Sequence, residues 1–455
     1  MDAAQGEGGG AVGAIVAGGA FKGSTRRYAK VTRRYAEEGQ RLGGSPCAPV
    51  KPPGTSASSF WLTTPSSRHA PDDSLGLPTR CHATRVPSPV ATPMPLVRRL
   101  AASLLAALAL ATAPSPAHAQ PTPGDFTLPE YRFESGEVLR DVRLHYLTLG
   151  TPRRDASGAV ANAVLILHGT GGTGSQFLGA GFAGELYGKG QPLDTARYYI
   201  ILPDNIGHGQ SSKPSDGLRM KFPRYGYTDM VKLQQLLLSR ALGVERPYLI
   251  MGTSMGCMHA WVWGTLFPDR ARALVPLACV PTQIAGRNRM MRRMIMDAIM
   301  QDPEWKGGDY TAPPRGLRSA LGMLFMMSSA PLVQQRQAPT RDAADSVIRA
   351  YLDQRMRSTD ANDMLYQFDA SRDYDPSPLL ERVVAPVLHI NSADDLVNPP
   401  ELGLMEKLAP RVTQLRFVLI PTSDRTRGHG THTMPSIWGD ELRRFMGTLP
   451  PVGGG

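Results

Sequence analysis

The chemistry of this chain centres on one serine. Tyr248-Leu-Ile-Met is an apolar run that passes through Gly252-Thr-Ser254-Met-Gly256 into helix-compatible residues, Cys257 to Phe267. A strand, then Gly-x-Ser-x-Gly, then a helix is the context that makes the motif a nucleophile elbow. A serine held at so sharp a turn sits in a strained backbone, so its neighbours two residues either side must be small. The turn lifts Oγ clear of the sheet and aims the first N–H groups of the helix at whatever Ser254 attacks.

Acyl transfer by a serine also needs a base to take its proton and an acid to orient that base. On a strand-to-helix elbow these follow in the order Ser, acid, His. The acid lies in Asn391-Ser-Ala-Asp394-Asp395-Leu-Val397-Asn-Pro399, straight after a buried run. Asp395 is preferred to Asp394 because Asp395, Val397 and Pro399 fit the Asp-x-Val-x-Pro form of such loops. The base lies in Arg427-Gly428-His429-Gly430-Thr431-His432. His429 has the Gly-His setting of a general base, and His432 reads as a neighbour or a surface histidine. Two N–H donors must stabilise the oxyanion: that of Met255, and one from the glycine-rich His168-Gly-Thr170-Gly-Gly loop, for which Thr170 is the best single candidate. That loop lacks the Gly-Lys-Ser/Thr ending of a phosphate loop. Neither a cofactor signature nor a metal-ligand spacing is present.

These loops need a rigid carrier. Ala163-Val-Leu-Ile-Leu167 and Tyr198 to Pro203 are continuous apolar runs, the mark of strands buried on both faces. Ala271 to Cys279, Ala385 to Asn391 and Gln414 to Ile420 read as further strands. Tyr131 to Phe133 and Val142 to Leu149 read as an antiparallel hairpin. Thr228 to Leu242, Pro399 to Leu408 and Pro435 to Met446 have helical spacing. Alternation of this kind predicts an α/β fold: a doubly wound, mostly parallel, eight-stranded sheet. The alternation breaks at 281–375, which is helix-rich and carries Met290, Met291, Met294, Met296, Met300, Met323, Met326 and Met327. It reads as a helical lid inserted after strand 6, between core segments 120–280 and 376–455. Methionines suit an adaptable acyl-binding wall, or they pack the lid's own helices.

The N-terminal part has a different character. Residues 1–93 are rich in Gly, Pro, Ser, Thr and Arg and cannot bury enough apolar surface to fold. Residues 94–119 have the layout of a secretory signal peptide: Arg98-Arg99, an apolar run from Leu100 to Ala111, then Ala117-His-Ala119. Met94 therefore reads as the true start, with 1–93 as mis-assigned upstream sequence; the alternative is a genuine disordered extension with an internal signal anchor. A secreted or periplasmic product follows from the signal peptide. Residues 1–119 carry 13 Lys+Arg against 6 Asp+Glu, so most of the chain's net charge of +11 lies outside the folded part. The remainder has no basic stripe with interleaved aromatics, which argues against nucleic acid as a partner. A small-molecule ester, no stable membrane anchor and an optional homodimer complete the expectation. Of four cysteines only Cys257 and Cys279 lie beyond the signal. A bridge between them is open, and two buried free thiols are the preferred state.

His168-Gly-Thr-Gly-Gly, Gly252-Thr-Ser-Met-Gly-Cys-Met-His-Ala, Asp302-Pro-Glu-Trp-Lys-Gly-Gly-Asp-Tyr310, Phe368-Asp-Ala and Asn391 to Pro399 together resemble the α/β-hydrolase superfamily, and within it the homoserine O-acetyltransferase family. The resemblance covers most of 125–447. It implies a Ser254, Asp395, His429 triad and a ping-pong acyl-enzyme. It also implies an arginine that opens an Arg-Gln-Ala-Ile segment just before Asp-Pro-x-Trp and holds the homoserine carboxylate. Here the matching segment is Met296-Asp-Ala-Ile299. With that cation replaced, and with acyl-CoA confined to the cytoplasm, water becomes the expected acceptor and ester hydrolysis the expected reaction. CoA-dependent O-acyl transfer is the alternative, and a non-catalytic binding protein the third.

Overall fold

The structure is a computed structural model that describes residues 120–452; the readings of 1–93 and of the signal peptide at 94–119 lie outside the described residues. Eight strands form one sheet: β1 Thr122–Arg132, β2 Val138–Leu149, β3 Ala163–Leu167, β4 Tyr199–Pro203, β5 Leu249–Thr253, β6 Leu274–Leu277, β7 Val387–Ser392 and β8 Leu415–Ile420. Their order is β1-β2-β4-β3-β5-β6-β7-β8. The β1–β2 and β2–β4 pairs are antiparallel, and β4 through β8 run parallel. The chain goes from β3 outward to β4 and then crosses back to β5 on the other side of β3. Such a switch point opens a crevice at the carboxyl edge of the strands.

Every residue of β3, β4 and β5 is buried. Both sheet faces are covered. One apolar core holds Leu165, Ile201, Ile250, Trp261 and Trp263, and the other holds Ile166, Ile200, Met251, Phe182 and Trp438. The covering helices are α1 Ala180–Leu186, α2 Tyr227–Leu236, α3 Met255–Leu266 and, at the end of the chain, Pro435–Thr448. Between β6 and β7 the chain forms α4 Gly286–Met300, α5 Arg315–Ser328, α6 Pro331–Gln337, α7 Arg341–Ser358 and α8 Ala361–Asp369. This insertion has its own core around Ile295, Ile299, Leu317, Leu321, Leu365 and Phe368. Short α9 Leu404–Leu408 and the C-terminal α10, Pro435–Thr448, follow β7 and β8.

Several boundaries differ from expectation. The hairpin begins at Thr122 because β1 is an edge strand, mostly exposed, where Pro123 and Pro129 and scattered polar residues are tolerated. The helix expected over Pro399 to Leu408 is split, because Gly403 takes φ 61° between a short turn and α9. Of the methionines in the insertion, Met290, Met294, Met300 and Met326 are exposed, whereas Met291, Met296 and Met327 are buried in its core.

The preferred state of the cysteines is corrected. Cys257, in the first turn of α3, and Cys279, just past β6, form a disulfide with their Cα atoms 5.9 Å apart. Helix α3 packs closely on β6, which brings two residues 22 positions apart within bridging distance. Closing a loop of this length stabilises a fold by about 3 kcal/mol in the chain-entropy model. The double variant Cys257→Ala/Cys279→Ala is therefore expected to unfold at lower denaturant by about that amount, and dithiothreitol should bring wild type to the same curve. Equal midpoints with and without reductant would contradict a closed bridge.

Candidate active site

Ser254 joins β5 to α3 with φ 55° and ψ −109°, a region that costs a non-glycine residue about 1–3 kcal/mol. The turn is locked by two glycines. A Cβ on Gly252 would lie 2.0 Å from the carbonyl oxygen of Gly256, and one on Gly256 would lie 2.1 Å from that of Leu167. The Ser254 N–H donates to Leu277 O at 2.9 Å, which ties the turn to β6.

The loops after β7 and β8 meet the elbow. His429 Nε2 is 2.9 Å from Ser254 Oγ, and His429 Nδ1 is 2.8 Å from Asp395 Oδ2. An ionised carboxylate at Nδ1 keeps the proton on that nitrogen and leaves Nε2 free to accept from the serine. Burial would raise the Asp395 carboxyl. The His429 imidazole beside it, and hydrogen bonds from His429, Asn398 and the Val397 N–H, outweigh burial and hold it below its ordinary value. Asn398 Nδ2 also donates to Ala278 O at 3.1 Å and so fastens the acid loop to the end of β6. Asp394 has a separate job: its Oδ2 accepts from the Gly428 N–H at 2.9 Å and its Oδ1 from Ser392 Oγ at 2.5 Å. The two neighbouring acids divide the work, one facing the imidazole and one fixing the backbone that carries it. His432 bonds back to the His429 carbonyl, with ring centroids 5.0 Å apart, and has no contact with Asp395 or Ser254 among the hydrogen bonds described.

The Met255 N–H, next to Ser254 in the chain, opens α3, where the first N–H groups of a helix have no intrahelical partner. Thr170 lies in the glycine-rich loop and lines the same cavity as Ser254. The His168 ring accepts from the Asn205 N–H at Nε2 (3.1 Å), so its proton sits on Nδ1, which donates to Gly169 O at 2.8 Å. Gly172 N–H donates to the same oxygen at 3.0 Å. In a trans peptide the C=O and the following N–H point in opposite directions. Holding Gly169 O toward His168 therefore turns the Thr170 N–H away from it. The loop passes close to the elbow, since a Cβ on Gly169 would lie 3.3 Å from that of Ser254.

Ser254, His429 and Thr170 open onto a cavity of about 500 Å³. Phe177 and Phe182 form one wall, and Met291, Leu324, Met327 and Phe368 from the insertion form the other. Among these apolar groups lies Arg292, only 4% exposed. It donates to two neutral oxygens, Asn288 Oδ1 at 3.0 Å and Ser371 Oγ at 3.2 Å, and its guanidinium lies 5.5 Å from the centre of the Phe368 ring. A cation is thus present in the cavity after all. It stands one helical turn before Met296, so spacing along the motif does not find it; only the shared face of α4 does. The contacts of Asn398, Asp394 and His168 likewise arise from the fold and not from their sequence context. Among the described residues, one group of potential metal ligands lies close together, Cys257, Cys279 and His389, and both sulfurs are committed to the disulfide.

Four histidines beneath the site are at most 1% exposed: His168, His208, His259 and His389. Burial, the largest influence on each, lowers all four: His259 to about 3, with the His168 charge adding to the effect, and His389 to about 4. A base whose folded value lies below its unfolded value stabilises the fold above the unfolded value, near 6.5, and loses that contribution as pH falls. Each such histidine removes up to about 1.4 kcal/mol per pH unit between about 6.5 and its folded value. The melting temperature is expected to drop steeply from pH 6.5 to pH 4 in a calorimetric series. A flat profile over that window would show that these rings are protonated in the fold.

The fold is that of known proteins. The family model described as alpha/beta hydrolase fold matches residues 162–424. A homoserine O-acetyltransferase of Geotalea uraniireducens is 32% identical over 267 residues, 53% of this chain and 69% of that protein. The crystal structure of homoserine O-acetyltransferase from Bacillus anthracis superposes with a TM-score of 0.64 at 24% identity, over 72% of this chain and 98% of that one. The structure titled esterase E22 superposes with a TM-score of 0.63 at 21% identity, over 72% of this chain and all (100%) of that one. At such identities the two structures speak for the fold.

Proposed function

The chain belongs to the α/β-hydrolase fold family, in its homoserine O-acetyltransferase-like branch, and from that premise we propose that it is an exported serine hydrolase of carboxylic esters. The observation that carries this reading is the line of hydrogen bonds from Ser254 Oγ through His429 to Asp395, at 2.9 and 2.8 Å. Ser254 Oγ attacks the ester carbonyl while His429 Nε2 takes its proton. The oxyanion gathers the Met255 and Thr170 N–H groups, each worth about 10²–10³ in rate. The carbon–oxygen bond to the alcohol breaks, and His429 gives the alcohol its proton. Water then attacks the acyl-enzyme, His429 takes a proton from it, and the acid leaves as Ser254 is restored. The helices inserted between β6 and β7 act as the lid that shapes the acyl pocket. The signal-like segment at 94–119 and the Cys257–Cys279 bridge both suit an oxidising compartment outside the cytoplasm.

A second reading, CoA-dependent O-acyl transfer, is favoured by Arg292, a buried cation that would suit an acceptor alcohol bearing a carboxylate. Purified protein is incubated with p-nitrophenyl acetate, with and without homoserine and acetyl-CoA. Hydrolysis predicts acetate release that neither additive changes. Transfer predicts O-acetylhomoserine that depends on acetyl-CoA and is lost in Arg292→Met.

A further inference from the structure

Behind the glycine-rich loop lies a line of buried side chains whose hydrogen bonds all run one way. Trp263 Nε1 donates to Gln234 Oε1 at 2.8 Å. Gln234 Nε2 bonds Asn205 Oδ1 at 2.5 Å and His259 Nδ1 at 3.1 Å. Asn205 Nδ2 bonds His168 Nε2 at 3.0 Å, and the Asn205 N–H reaches the same nitrogen. His168 Nδ1 bonds Gly169 O at 2.8 Å. All five side chains are at most 3% exposed, so bulk water does not replace a lost partner.

The direction is set at one end. An indole N–H can only donate, so Gln234 must turn its oxygen to Trp263 and its NH2 group to Asn205 and His259. Asn205, accepting at Oδ1, must then offer its NH2 group to His168. His168, accepting at Nε2, carries its proton on Nδ1 and donates to Gly169 O. His259 and Trp263 stand one turn apart on α3, so the helix that follows Ser254 grips the Gln234 amide of α2 with two side chains. The far end of the line is the Gly169–Thr170 peptide, whose N–H is the second oxyanion donor of the hydrolase reading. An acceptor at His168 Nδ1 would favour that peptide turned over, with its carbonyl in place of the N–H. Gly169, lacking a Cβ, would resist the turn little.

We propose that Trp263, Gln234 and Asn205 are positioning residues for the Thr170 N–H, linking the helix that carries the Met255 donor to the loop that carries the other. The proposal rests on the hydrolase reading and names what aligns its oxyanion hole. The Asn205 N–H still reaches His168 when the line is cut, so Trp263→Phe and Gln234→Met are each expected to lower kcat on p-nitrophenyl acetate about ten-fold, short of the roughly 10²–10³ that losing a donor outright costs. KM should stay within about two-fold, because ground-state contacts are untouched. Inhibition by phenyl trifluoromethyl ketone should weaken by the same factor as kcat falls. There Ser254 Oγ adds to the carbonyl carbon, the carbonyl π pair becomes the oxyanion, and the Oγ proton passes to His429.

Trp261→Phe is the matched control. Trp261 is also fully buried on α3, and its Nε1 donates to one histidine, His389, at 3.2 Å, on β7 and away from the loop. It should melt as Trp263→Phe does and keep kcat within about two-fold. Equal kcat losses in the two variants, or a change in KM alone, would overturn the proposal. A ¹⁵N–¹H spectrum of the histidine rings, with His168→Asn to assign the signal, reads the line without turnover. The His168 proton is expected on Nδ1, exchanging with water at least about ten-fold faster in Gln234→Met than in wild type or Trp261→Phe. A proton on Nε2 in wild type would also overturn the proposal. An inactive wild type with the Nδ1 proton and its slow exchange in place would retain the line and sink the hydrolase reading; an active wild type whose kcat survives both substitutions would do the reverse.

Discussion

Replacing Ser254 by alanine is expected to lower kcat on p-nitrophenyl acetate by about 10⁶-fold, to a residue of activity supported by the oxyanion donors alone. The variant should fold. Alanine removes only Oγ, whose one described partner is His429 Nε2, and the strained φ of 55° is set by the elbow around it. KM, or binding of a substrate analogue, should change little, because the cavity walls are untouched. His429→Ala should fall as far, and the double variant no further, since nucleophile and base act as one unit. Additive losses in the double variant would mean that the two side chains serve separate steps.

The second large effect is expected at Asp395. Asp395→Asn keeps the size of the side chain but presents an amide to His429 Nδ1, which favours the wrong tautomer and leaves Nε2 unable to accept the serine proton. The loss expected is about 10⁴-fold in kcat. Asp394→Asn is the control. Its carboxylate touches the Gly428 N–H and Ser392, not the imidazole, so about a ten-fold loss or less is expected from a loosened loop. If Asp394→Asn proved the more damaging, the assignment of the acid would be reversed. The depressed carboxyl of Asp395 has a further consequence. An acid held below its unfolded value contributes stability that is lost only as pH falls through the folded value. The acid limb between pH 6.5 and 4 therefore belongs to the buried histidines, and Asp395→Asn should leave that limb in place.

Much of this architecture is written in short apolar runs. Ala163–Leu167, Tyr199–Pro203 and Leu249–Thr253 are buried on both faces, so nothing in their pattern competes with a central parallel strand. The elbow is legible for a steric reason, since Gly252 and Gly256 face backbone oxygens at about 2 Å and tolerate no side chain. Ser254, Asp395 and His429 follow because each lies just after a strand. What the one-dimensional pattern hides is lateral. Arg292 and Asn288 become neighbours through the α4 repeat, and the arginine reaches Ser371 and Phe368 only once the insertion has folded. Asn398 sits inside the acid loop, yet its bond to Ala278 O spans 120 positions. The Cys257–Cys279 bridge depends on how α3 lies over β6, which spacing alone does not state.

The central claim is that Ser254 becomes acylated, and mass spectrometry of the protein after treatment with a serine-reactive fluorophosphonate tests it most directly. A single adduct on the peptide containing Ser254 is predicted, formed in step with loss of esterase activity and absent in Ser254→Ala. Full loss of activity with the adduct on another residue, or retained activity in a protein whose Ser254 is fully modified, would contradict it.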